Sequence, residues 1–180
     1  MSYRHRNRIM LAPDERVLWE DKPRKSAFLI TKSTTLLPIA ILWLIFDLPA
    51  IRAAIEQGQV STLLFFALHL MPVWIWLGNT ITAWRRYSNT NYYVTDRRIV
   101  IQYGYLAVNE ISLYYRDIKN VHMRVGLIDK LFGVGDICFE VGYYIEKGRR
   151  NLHIFEELAR PDEAYDKIQR IVLEARANLE

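Results

Sequence analysis

Three pairs of basic side chains stand where they could grip a phosphate group. Arg24 and Lys25 lie just ahead of an apolar segment, Arg97 and Arg98 follow Asp96 in a turn, and Arg149 and Arg150 close another turn. Guanidinium and ammonium groups make charge-assisted hydrogen bonds to phosphate oxygens, so basic turns gathered at one rim suit an anionic lipid head group. Each basic side chain close to such a surface contributes about 1 kcal/mol, so the turn arginines count only if they face it together. The plainer alternative is that exposed turns favour charge and that Arg97 and Arg98 lie against carboxylates. Leu131 and Phe132, with Leu127 and Ile128, form an apolar stretch between strands. It either inserts into a bilayer or a neighbouring subunit, or tucks onto the core as a short helical turn.

Enzyme chemistry finds little support. His122 alternates within a strand and has no adjacent Ser or Asp motif. Cys138 shares a strand face with Asp136 and Glu140, a setting that raises a thiol pKa and makes a poor nucleophile. No phosphate-binding P-loop, paired-histidine zinc motif or nucleophile elbow occurs. The glycines around 133–142 precede a strand and not a helix, which suits a tight loop better than a phosphate cradle. A lone cysteine forms no internal disulfide and cannot supply a cysteine-type zinc site. No catalytic residue, metal or cofactor is therefore expected.

The elements that would position these residues begin with an uncharged run at 63–83, closed by Trp84, Arg85 and Arg86. As one helix it would be about 31 Å long, enough for a hydrocarbon core of roughly 30 Å. A weaker span covers 33–46, or begins near 26 if Lys32 snorkels, and ends at Asp47 and Pro49. A re-entrant or interfacial helix is the alternative there. His69 and Asn79 read as polar groups bonded to a facing helix or subunit. Residues 1–34 carry eight Lys/Arg against four Asp/Glu, and Arg52 is the one basic residue between the spans. The charge bias predicts a multi-pass inner-membrane protein with both termini cytoplasmic. The divisions are a basic arm at 1–32, a two-span hairpin at 33–86 and a cytoplasmic domain at 87–180. No removable signal peptide is expected, because no apolar segment follows the basic first residues for more than twenty positions and no small-residue cleavage site is evident.

Past residue 91 short alternating runs separated by turns predict antiparallel strands near 92–95, 99–103, 108–113, 118–125, 136–141 and 152–155, with another possible at 143–146 before a turn at 147–149. Pro161, Asp162 and Glu163 announce a last helix whose apolar face is Ala164, Tyr165, Ile168, Ile171, Val172 and Ala175. The expected fold is a two-helix transmembrane hairpin followed by a small antiparallel β-barrel of six to seven strands, closed at one end by the C-terminal α-helix. That element order is the pleckstrin-homology (PH) architecture.

The runs YYVTDRRIVIQYG (92–104), IKNVHMRVGLIDKLFGVGDICFEVG (118–142) and ARPDEAYDKI (159–168) resemble the bacterial PH-like family of membrane-anchored proteins. PDERVLWEDKPRKSAF (13–28) resembles the arm that such proteins often carry. The resemblance implies a PH-like fold, cytoplasmic placement and a lipid- or protein-binding role, and brings no catalytic residues. The expected function is a non-enzymatic module for self-association or for binding another membrane protein, with anionic lipid binding by the arm and turn arginines as the alternative. Nucleic acid is not an expected partner: residues 85–180 carry fifteen Lys/Arg against fourteen Asp/Glu, with no concentrated basic face.

Overall fold

The structure, a computed structural model, describes residues 9–145 and 149–177, and only the backbone of 143–145 and 149–151. The chain divides into two compact units, one built from Met1–Phe28 with Arg85–Glu180, the other from Leu29–Trp84.

The first unit holds two antiparallel sheets. In one, β1 (Val17–Asp21) pairs with β2 (Asn91–Thr95), β2 with β3 (Arg98–Tyr103), and β3 with β4 (Asn109–Tyr114). The β2–β3 turn forms because Thr95 Oγ1 accepts the amides of Arg97 and Arg98 at 3.2 and 2.9 Å. The β3–β4 loop is tight at Gly104, whose φ is +154° and where a Cβ would lie 1.8 Å from the Ala107 carbonyl oxygen, so only glycine fits. The other sheet has the order β5 (Ile118–Arg124), β6 (Val134–Ile145), β7 (Arg149–Ala159). A short helix, α5 (Leu127–Phe132), joins β5 to β6, and α6 (Pro161–Ala177) ends the unit.

Aromatic rings tie the sheets together. Phe155 of β7 stacks on Tyr92 of β2 at 4.4 Å and on Trp19 of β1 at 5.8 Å, and meets Phe139 of β6 edge-on at 4.9 Å. Ala164, Ile168 and Val172 of α6 are buried in the same core, and Tyr165, Ile171 and Ala175 pack partly against it. The Tyr92 hydroxyl, carried into this core, accepts the Glu156 amide at 2.9 Å, and burial holds its pKa well above the ordinary value.

The second unit departs from the expected hairpin. A continuous 32-residue helical stretch, Lys25–Glu56, runs through α1 (Lys25–Ser33), a 3₁₀ turn (Thr34–Leu36) and α2 (Leu37–Glu56). It passes Asp47 and Pro49, the expected stops. Asp47 Oδ1 finds His69 Nε2 at 3.7 Å, and one missing proline amide is tolerated within a long apolar helix. The run at 63–83 is instead broken. It forms α3 (Val60–His69) and α4 (Met71–Ser88), bent by 53° at Leu70. Pro72 explains the break: it has no amide to continue the α3 ladder onto Leu68 O, and its ring suits the first turn of a new helix. Carbonyls left open at the end of α3 are taken by indoles, Trp74 Nε1 donating to Ala67 O at 2.7 Å and Trp43 Nε1 to His69 O at 3.1 Å. Asn79 Nδ2 donates to Lys32 O at 2.8 Å.

Two expectations are thereby corrected. Among the described residues there is one continuous helix long and apolar enough to cross a membrane, not a two-span hairpin, so the multi-pass arrangement with both termini cytoplasmic falls with it. The strands form two open sheets, not a closed barrel, because neither β4 with β5 nor β7 with β1 is joined by strand pairing.

Replacing Phe155 with Ala removes the ring on which Trp19, Tyr92 and Phe139 converge. The expected loss is about 3–5 kcal/mol, read as a lower denaturant midpoint with an unchanged slope in equilibrium unfolding.

Candidate functional site

The basic pairs meet different fates. Arg98 is largely buried, and its guanidinium is fully engaged: Nε and Nη2 donate to Glu15 Oε1 and Oε2 at 2.9 and 3.1 Å, Nη1 to Ser112 Oγ at 2.7 Å, and Nη2 also to Met10 O. Glu110 Oε1 lies 3.8 Å from Nη1. Thr95 Oγ1 adds a hydrogen bond to Glu15 at 2.8 Å. Arg98 is thus a structural clamp from β3 onto the segment before β1, not a head-group ligand, because an isolated Glu15 carboxylate in that site would be strongly penalised. Arg97, beside it in sequence, is exposed. The turn therefore offers one arginine to solvent and not a pair. Arg149 and Arg150 pair through their backbones with Ile145 and Tyr144, and their side chains lie outside the described residues, as do positions 147 and 148 of the turn expected at 147–149. The arm residues Arg4, Arg6 and Arg8 are outside them too.

Burial works against the charged form of Glu15, but hydrogen bonds from Arg98, the Ala12 amide and Thr95, together with the Arg98 charge, hold its carboxyl down at about 2. The same contact raises the Arg98 pKa.

Arg24 stands elsewhere. Its side chain is exposed, yet Nη1 donates to the Phe132 carbonyl at 2.6 Å, at the C-terminal end of α5. Its own amide donates to Glu157 O at 2.7 Å. Glu157 is fixed in turn, its amide donating to Asp136 Oδ1 at 3.0 Å while Arg124 holds Asp136 Oδ2 at 2.7 Å. Two candidates separated by more than a hundred positions, Arg24 and the Leu131–Phe132 pair, are brought together. Lys25 is exposed immediately beyond Arg24.

The helix that Arg24 caps is a defined element. Asp129 Oδ2 accepts the Gly126 amide at 2.7 Å, and Gly133 closes the helix in the left-handed region at φ +60°. Leu127 is 88% exposed and Leu131 82%, whereas Phe132 is half-buried. The alternative of a turn tucked wholly onto the core does not hold for the two leucines.

A second apolar tip gave no warning in the sequence reading. Tyr105, Leu106 and Val108 are exposed in the β3–β4 loop, which Asn89 at the end of α4 grips through Nδ2 to Tyr105 O at 3.1 Å. The available signal was an apolar run where a hairpin tip is normally polar.

Groups suited to chemistry are placed otherwise. Burial, with Asp136 and Glu140 nearby, raises the Cys138 thiol pKa despite the opposing charge of Arg124. His122 Nδ1 lies 3.8 Å from Glu140, half-exposed on β5. Among the described residues no group of three or more His, Cys, Asp or Glu could hold a metal ion.

The family comparison gives a match to the family described as Bacterial PH domain, over residues 35–175. No curated protein matches the chain. No solved structure matches it either.

The clamp predicts an acid limb. With a folded value of about 2 against an ordinary 4.5, Glu15 stabilises the fold fully above about pH 4.5. That contribution, on the order of 3 kcal/mol, is lost as pH falls toward 2. Glu15→Gln should lower stability at neutral pH and flatten this limb, and unfolding midpoints measured along the pH series check both effects.

Proposed function

Since the chain belongs to the bacterial PH domain family, we propose that it is a non-enzymatic interaction module held at a bilayer by the apolar helical segment between β1 and β2. The observation that carries this reading is the stretch Lys25–Glu56. It holds a long apolar run, and only 6% of its most hydrophobic window is buried inside the protein. A core helix of a water-soluble protein would be covered, whereas Leu42, Ile45, Phe46 and Leu48 stand exposed. Such a surface is stable only in an apolar medium or against another apolar surface.

The activity proposed for the module is association with its own copies or with another membrane protein. Support comes from the open sheets, which end in β1 and β4 on one side and β5 and β7 on the other, and strand edges accept an added strand. The exposed Leu131 is a further contact point. A second reading, binding of anionic lipid head groups, is favoured by one observation: Arg24 and Lys25 are exposed at the very start of the apolar helix. Arg97 joins them as an exposed cation, and Arg149 and Arg150 remain candidates by sequence alone.

The readings separate in membranes carrying the full-length chain. Retention in the pellet after alkaline carbonate extraction is expected, and release would sink both. Self-adducts or one defined adduct on chemical crosslinking, persisting at high salt, support assembly. Enrichment of anionic lipid around the chain that disappears at high salt supports the head-group reading, since screening weakens such contacts.

A further inference from the structure

We infer that the PH-like unit has a bilayer-seating surface made of two apolar tips, α5 and the β3–β4 loop, which insert side by side into the boundary between head groups and acyl chains. The inference rests on the membrane reading above and adds to it a face, a depth and named side chains.

Three observations converge. The first is exposure: Leu127, Ile128 and Leu131 on one tip and Tyr105, Leu106 and Val108 on the other are open to the surroundings, with Leu106 at 86%. Isolated exposed apolar residues are ordinary, but two clustered tips on separate elements are not. The second is place. The chain leaves this unit at Phe28 and re-enters it at Arg85, and the two crossing points lie together, with the rings of Phe28 and Tyr87 6.0 Å apart. Each tip is bonded to one of the crossing strands of chain. Arg24, four residues before Phe28, holds α5 through Phe132 O, and Asn89, two residues after Tyr87, holds the β3–β4 loop through Tyr105 O.

The third observation is construction and charge. Gly104 and Gly133 give the two tips backbone shapes that other residues would strain, so the apolar side chains sit on built turns. Arg24, Lys25, Arg85, Arg86 and Lys130 are exposed along the same crossing region, a basic border of the kind that meets phosphates while apolar groups sink below them. Because the chain passing through the crossing points is the apolar segment itself, the occupant that fits is a lipid surface.

The test uses the full-length chain with Cys138→Ala as background, reconstituted in vesicles of mixed neutral and anionic phospholipid. An environment-sensitive dye is attached in turn at Leu106→Cys, Leu131→Cys, Phe46→Cys and Leu173→Cys. Phe46, exposed on α2, reports on the anchor, and Leu173, exposed on α6, reports on a position belonging to neither tip. The expected result is blue-shifted emission at Leu106 and Leu131, lost more to lipid carrying a shallow acyl nitroxide than a deep one, as for groups about 5–10 Å into the boundary. Leu173 should be quenched by aqueous iodide instead. Quenching by lipid at Phe46 but at neither tip, or at one tip only, overturns the two-tip surface and leaves the anchor reading intact. A blue shift at the tips without lipid quenching means that a second copy covers them, which also overturns it. Absence of lipid quenching at Phe46 as well overturns the membrane reading beneath it.

Discussion

The antiparallel pairing of β1 with β2 is the constraint from which the rest follows. Val17 meets Thr95 and Asp21 meets Tyr92, although the whole apolar segment lies between them in sequence. Pairing a strand from before that segment with one from after it forces both crossings to occur close together. It also delivers Trp19 to Phe155, so that the ring cluster joining the two sheets includes a side chain contributed from the far side of the apolar helices. The sheet edge, the aromatic core and the placement of the crossing points are one decision of the chain.

The Arg98–Glu15 clamp serves the same join. Two charges taken this far from water are stabilising only when their remaining hydrogen-bonding capacity is met, and here Thr95, Ser112, the Ala12 amide and the Met10 carbonyl meet it. Arg24 uses its charge differently. One donor fixes a short helix end and the rest of the group remains in solvent, so a single side chain links the start of the apolar helix to an exposed apolar tip.

What could be read from the sequence was what local chemistry decides. The final helix declared itself through Pro161, two carboxylates in its first turn and a three-and-four spacing of Ala164, Ile168 and Val172. The β2–β3 hairpin declared itself through Thr95 and the residues after it. Strand β1 did not, because VLWED is five residues in a charged arm and its partner lies some seventy positions away. Prolines misled in both directions. Pro49 looked like a terminator and is absorbed by a long helix, while Pro72 was read through and bends the chain, since the missing amide ends one ladder and a proline suits the first turn of the next. At the candidate site, the carboxylate alternative for Arg98 was readable but its partner was not. Nothing local ties Arg24 to Phe132.

The break at Leu70 sits among tryptophans, and their arrangement has a mechanical meaning. A bend that left peptide carbonyls bare in an apolar medium would be expelled or straightened, as each bare group costs several kcal/mol there. Trp43 and Trp74 hand indole protons to the carbonyls of His69 and Ala67, so the bent geometry carries its own solvation with it. The chain can therefore keep a fixed elbow whether the elbow lies in lipid, at the interface or against protein, and the shape of the helical unit becomes a property of its sequence and not of its surroundings.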